Sequence, residues 1–165
     1  MKKIILITFL SIVAFNLDAQ NKFGHLDSQE LLLLMPERKA AENSIADFAK
    51  TLEAQLSAMS AEYQQGLQEY QENEANYNDL VKKDKEAEIL GLQQRIQTFQ
   101  QDAQQSLAAK EQELLEPILS KARKAIEEVA KEGKYTYIFD KTGGTILYAN
   151  ESEDVLPLVK KKLGL

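Results

Sequence analysis

Apolar residues in the middle of the chain recur at alternating steps of four and three. One row is Ile45, Leu52, Met59, Gly66, Asn73 and Leu80; the other, four residues on, is Ala49, Leu56, Tyr63, Tyr70 and Tyr77. Such spacing keeps two rows on one face of a helix and predicts a coiled-coil seam. Gly66 and Asn73 weaken the first row, so the seam grows more polar toward its far end. Asn78-Asp79 and the run Lys82-Lys83-Asp84-Lys85-Glu86 interrupt the pattern. A second seam then follows through Ile89, Leu92, Ile96, Phe99 and Ala103, and resumes past Ser106 as Leu107, Leu114, Ile118, Ala122, Ala125 or Ile126, and Val129. Two seams of similar length parted by a polar patch predict a long antiparallel helical hairpin over residues 37–132, with its tip near residues 78–85. Each limb of about 45 residues would reach roughly 65 Å at the helical rise. Pro36 suits a first helical turn, Pro117 should bend the returning helix, and Gly133 is placed to end it in a left-handed cap after Lys131.

Beyond Gly133 the period changes from seven to two. Tyr135 to Asp140 and Thr145 to Asn150 are aromatic and β-branched runs joined by Lys141-Thr142-Gly143-Gly144, which predicts a β-hairpin. Lys22 to Asp27 predicts a third strand ahead of the long helices. Glu151 to Asp154 offers caps for a last helix from Val155 to about Leu163, with Pro157 in its first turn and Gly164 at its end. The fold class is therefore α+β and mostly helical: a hairpin joined to a small β-rich body made of residues 20–36 and 133–165.

The N-terminus adds an address. Lys2 and Lys3 precede an apolar run from Ile4 to Leu10 that continues through Ile12, Val13, Ala14 and Phe15 before Asn16 and Asp18 close it. At about a dozen residues the run is shorter than the roughly 20 a spanning helix needs, so it predicts a signal peptide over residues 1–19, cleaved after Ala19 with Gln20 as the next candidate, and an exported protein. No cysteine is present, which excludes a lipid-anchored lipoprotein and any disulfide. The 165 residues carry a formal net charge of −6, and removal of Lys2, Lys3 and Asp18 takes the mature chain to about −7. With no basic cluster larger than Lys160, Lys161 and Lys162, a nucleic-acid partner is not expected.

Candidate chemistry is sparse. His25 is the only histidine, so a His-based metal site or a Ser-His-acid triad lacks its second member. Lys141 to Thr145 lacks the Gly-Lys-Ser/Thr ending of a phosphate loop and reads as a turn. Carboxylate pairs such as Glu127 and Glu128 are the default on solvated helix faces. Neither a catalytic constellation nor a cofactor is expected.

The order of these parts resembles the Skp family, also called the OmpH family, of periplasmic chaperones. The likeness covers essentially the whole mature chain and is carried by Phe23 to Asp27, by Glu116-Pro117-Ile118-Leu119, and by Tyr137-Ile138-Phe139-Asp140 through Tyr148-Ala149-Asn150. The resemblance implies a homotrimer, in which short strands build a β body and three hairpins project as tentacles around a cavity. It also implies an ATP-independent holdase for unfolded outer-membrane β-barrel proteins in the periplasm. Three short strands and one small helix per chain bury little core, so assembly suits the residues as well. The tentacles of that family are basic, whereas Glu62, Glu69, Glu72 and Glu74 make this limb acidic, and lipid or lipopolysaccharide binding is not carried over. Trimer contacts are expected at Phe23, Leu26, Tyr137, Phe139, Ile146 and Tyr148, and diffuse client contacts at Met59, Tyr63, Tyr70 and Tyr77. The heptad spacing of the tyrosines first of all predicts packing in the seam, and a loose seam would leave part of each ring for a client. A second reading is a structural or adaptor coiled-coil protein of the cell envelope that captures one folded partner.

Overall fold

The computed structural model describes residues 21–165, and the expected signal peptide lies outside the described residues. The described chain divides into a body, residues 21–35 with 120–165, and an arm, residues 36–119.

In the body, β1 (Phe23–Leu26) leads into α1 (Ser28–Leu34). Asp27 caps α1, its carboxylate accepting the N–H of Glu30 at 2.9 Å. Of the four consecutive leucines on α1, Leu31 is fully buried while Leu33 is 67% exposed, because one helical face is turned to the core. Met35 is extended (φ −77°, ψ 120°), as the residue before a proline is driven to be, and Pro36 opens the next helix where its missing donor costs nothing. After the long helices the chain returns as β2 (Tyr137–Asp140), which pairs in parallel with β1 in the register Phe23 to Tyr137 and Leu26 to Asp140. The last helix, α4 (Leu156–Leu163), has Pro157 in its first turn and ends at Gly164 with φ 75°, as the sequence predicts. Leu26, Leu31, Met35, Ala125, Val129, Val155 and Val159 form the buried core.

The expected β-hairpin does not form. Lys141 is followed by a 3-10 turn over Thr142–Gly144, in which Gly143 and Gly144 take positive φ, and Thr145 to Asn150 contain no strand. The partner of β2 is β1, from the far end of the sequence. On its other side β1 is met by the chain just before α4, where Val155 N–H donates to the His25 carbonyl at 2.9 Å and Asp154 bridges His25. Among the described residues the second aromatic run pairs with no strand, and Leu147 and Tyr148 stand 96% and 85% exposed. His25 is buried on β1, its Nε2–H donating to the carbonyl of Asn150 at 2.9 Å, which tethers the end of this run.

The helix ending before β2 also differs from expectation. Lys134, not Gly133, takes the left-handed conformation (φ 55°). Gly133 is required for space instead: a Cβ there would lie 2.3 Å from Cε2 of Tyr135. Lys22 closes this corner, its ammonium 4.1 Å from the centre of the Tyr135 ring and donating to the Gly133 carbonyl at 2.9 Å.

The arm holds α2 (Pro36–Asn73) and the first part of α3 (Asp79–Glu132). Helix α3 runs without interruption through Pro117. The turn between them comes earlier than residues 78–85: a 3-10 segment, Glu74–Asn76, is followed by extended Tyr77 (ψ 139°). The lysine-rich run is then already helical. Asn78 explains the shift, because its side chain accepts the N–H of Val81 at 3.0 Å and so caps α3 at once. Leu80, expected to continue the first seam row, consequently sits in the first turn of the returning helix and is 70% exposed.

Candidate functional site

The two helices of the arm run antiparallel. Gly66 faces Leu92 and Ile89, Tyr70 meets Glu86, Glu69 meets Lys85, and Glu74 meets Lys82, so positions on one helix fall as those on the other rise. The seam follows the predicted rows. Met59 and Leu92 are buried in it, and Ile45, Leu52, Leu56, Ile89, Ile96, Phe99 and Leu107 are half-buried. A two-helix seam has only one partner per helix, which is why so few of its residues lose all contact with solvent.

Toward the tip the seam changes character. The Tyr70 hydroxyl donates to a Glu86 carboxylate oxygen at 2.6 Å, and the bond to that anion pushes the phenol up to about 12. Lys85 lies 3.3 Å from both Glu88 and Glu69, whose carboxylates raise its pKa, Glu88 first. Lys82 lies 3.8 Å from Glu74. Asn73, a member of the first row, donates its side-chain amide to the Glu69 carbonyl within its own helix and makes no apolar contribution to the seam. Exposed pairs of this kind are screened by water and contribute little, so the distal arm is held more weakly than an apolar seam of equal length.

Of the residues expected to touch clients, Met59 is buried, whereas Tyr63, Tyr70 and Tyr77 are half-buried, with the Tyr70 and Tyr77 rings 6.3 Å apart. Part of each tyrosine is thus open to solvent. Nearer the body end of the arm, a groove of about 370 Å³ opens between the helices, with Ala49, Leu52, Leu56, Phe99, Ala103 and Leu107 in its walls. Sequence reasoning placed these residues in the seam but missed the groove. Its signal was two alanines, one in each seam, and both line the groove.

In the body, three of the residues expected at an assembly surface form one cluster. The Phe23 ring lies 6.1 Å from that of Tyr137 and 6.0 Å from that of Phe139, and Tyr137 and Phe139 are 6.0 Å apart. All three rings are more than 40% exposed. Parallel pairing in this register sets alternate residues of β1 and β2 on one face and so assembles the cluster. Leu26 is set apart from it, buried in the core of its own chain; Ile146 is half-buried and Tyr148 exposed on the unpaired run.

A polar network fixes the turn after β2. Asp140 accepts the N–H groups of Ser28 at 3.1 Å and Thr142 at 3.0 Å and also the Ser28 hydroxyl, while the Thr142 hydroxyl donates to Asp27 at 3.1 Å. Desolvation by itself would raise the Asp140 pKa, but these hydrogen bonds outweigh it and hold the carboxyl at about 2. The network was not legible in the sequence, since it joins residues more than a hundred positions apart.

Among the described residues, no group of three or more His, Cys, Asp or Glu side chains is placed to hold a metal ion, and no helix is long and apolar enough to cross a membrane.

A search of curated proteins finds no match. Among solved structures, the chain is similar to a Caulobacter crescentus CB15 protein with the provisional description of outer membrane chaperone (OmpH-like). The TM-score is 0.76 at 16% identity, over 88% of this chain and 85% of the other, which shows a shared fold. The family described as outer membrane protein (OmpH-like) matches residues 22–163. That span takes in β1, both long helices, β2 and α4, and the chain belongs to the OmpH-like family.

Proposed function

We propose that this protein is an ATP-independent holdase that binds unfolded outer-membrane β-barrel proteins in the periplasm and keeps them from aggregating. The observation that carries this reading is family membership over nearly the whole described chain, with the helical hairpin and the parallel β pair both in place. The incompletely closed seam supports it. Half-buried Tyr63, Tyr70 and Tyr77 combine apolar faces with hydroxyls and can meet varied sequences without a fixed partner. Many weak contacts of this kind hold a client and release it without nucleotide hydrolysis.

The working unit is a homotrimer built through the body. A solvent-exposed cluster of three aromatic rings beside a two-stranded sheet is costly in a lone chain, and isolated small sheets are marginal. Phe23, Tyr137 and Phe139 would lose this exposure against a second copy, and the β-prone run from Thr145 to Asn150, with Ile146 and Tyr148, would gain a strand partner. Arms from three bodies would then bound the client cavity.

The test is light scattering of an unfolded outer-membrane protein diluted from denaturant, with and without the mature chain at one trimer per client. Suppressed scattering across several unrelated clients is expected. Capture of one folded partner with no effect on unfolded chains would instead identify an adaptor. Sedimentation equilibrium should give three times the chain mass, and Phe139→Asp should lower it; a wild-type monomer would remove the trimer.

A further inference from the structure

The arm groove and the charge of the arm together identify what the groove accepts. We propose that the groove lined by Ala49 and Ala103 takes a large apolar side chain from an unfolded segment that also bears net positive charge. The inference rests on the holdase reading and names the class of client segment the arm prefers.

The groove is apolar where the arm around it is polar. Leu52, Leu56, Phe99 and Leu107 supply its apolar walls beside Glu53, and the short side chains of Ala49 and Ala103, one on each helix, leave space in it. Its volume, about 370 Å³, lies at the small end of the range in which proteins bind compact ligands, suited to a side chain rather than a folded surface. A leucine at either alanine would fill the space that a guest side chain would use.

Charge then selects among guests. From Pro36 to Leu119 the chain carries sixteen acidic and eight basic residues, a net of −8, whereas residues 20–35 with 120–165 carry nine acidic and ten basic. The acidity of the protein is therefore a property of the arm. It is densest from Glu62 to Glu88, where eight carboxylates face three lysines, and two of those lysines, Lys82 and Lys85, are already engaged with Glu74, Glu69 and Glu88. An unpaired surplus of one sign draws opposite charge to the surface and repels its own, over a distance of about 8 Å at physiological salt. A segment rich in lysine or arginine is attracted along the arm while its apolar side chain enters the groove. An acidic segment with the same apolar side chain is turned away.

The experiment uses the mature chain and dye-labelled unstructured peptides followed by fluorescence anisotropy. One peptide carries two phenylalanines and five lysines, a second two phenylalanines and five glutamates, and a third five lysines with serine in place of phenylalanine. The first should bind at least about tenfold more tightly than either of the others, and its lead over the glutamate peptide should shrink between about 50 and about 500 mM NaCl. Ala103→Leu should weaken the first peptide about tenfold while raising the urea midpoint, because the leucine closes a gap in the seam. Ala49→Leu serves as the second variant and should act alike. Equal affinity for the lysine and glutamate peptides, or unchanged affinity in both leucine variants, would overturn the inference. So would a changed sedimentation mass in those variants, which would mean that a second copy occupies the groove. A protein that suppresses client aggregation yet shows no such preference loses this inference and keeps its holdase function. A protein that fails the aggregation test loses the holdase reading, whatever the peptides do.

Discussion

The same substitution, glycine to alanine, should have opposite effects at three positions of this chain. Gly91 is in the interior of α3, and a Cβ built there meets nothing within 4 Å. Alanine at Gly91 therefore gains only helix propensity, about 1 kcal/mol. At Gly66, inside α2, a Cβ would lie 3.8 Å from Cδ1 of Leu92 and 3.9 Å from Cγ1 of Ile89, which is ordinary contact. Here alanine should gain the same propensity plus a few tenths of a kcal/mol from dispersion across the seam. At Gly133 the added carbon would stand 2.3 Å from the Tyr135 ring, and the ring can withdraw only by giving up its stacking under Lys22. Overpacking of this order costs about 1–3 kcal/mol. The assay is urea unfolding of residues 20–165 followed by circular dichroism at 222 nm, with every variant at one fixed protein concentration. The expected order of midpoints is Gly66→Ala at or above Gly91→Ala, both above the parent, and Gly133→Ala below it. A Gly66→Ala variant less stable than the parent would refute the antiparallel register drawn here, because that register alone places open contact distance across from Gly66.

Leu31, fully buried in the body, should cost about 3 kcal/mol as Leu31→Ala by chemical denaturation, within the range measured for buried leucines. The Asp140 carboxyl, held at about 2 by its hydrogen bonds, stabilises the folded body above the ordinary carboxylate pKa near 4 and loses that contribution as pH falls through about 2. An acid titration of stability should accordingly be shallower between about pH 4 and pH 2 in Asp140→Asn than in the parent. Tyr70, with its phenol at about 12 because of Glu86, should ionise above the ordinary phenol range near 10 in an ultraviolet titration, and Glu86→Gln should bring it back toward that range. Since the raised phenol favours the folded arm below about pH 10 and the benefit disappears as pH rises through about 12, Glu86→Gln should leave stability less sensitive to alkali.

Much of the arm was legible because its signal is periodic and local. Heptad rows from Ile45 to Tyr70 and from Ile89 to Val129 identified both helices and the residues facing inward, since a helix buries a stripe that depends only on its own spacing. Pro36, Pro157 and Gly164 marked ends for equally local reasons. The turn was misplaced because the Lys82 to Glu86 run is polar without being a helix breaker, whereas the cap at Asn78 depends on one side chain reaching one N–H.

Composition and period by themselves determined a mostly helical chain with a long two-helix arm, a net negative charge and a small mixed body. Tertiary structure decided which strands pair. The alternating runs from Tyr135 and Thr145 look like a hairpin, yet β2 lies beside β1, from which more than a hundred residues separate it. Alternation records that one face will be covered and carries no information on which partner covers it, so the choice fell to the body core, where Val155 and the His25 carbonyl take the other flank of β1. The exposed aromatic cluster is a consequence of that choice.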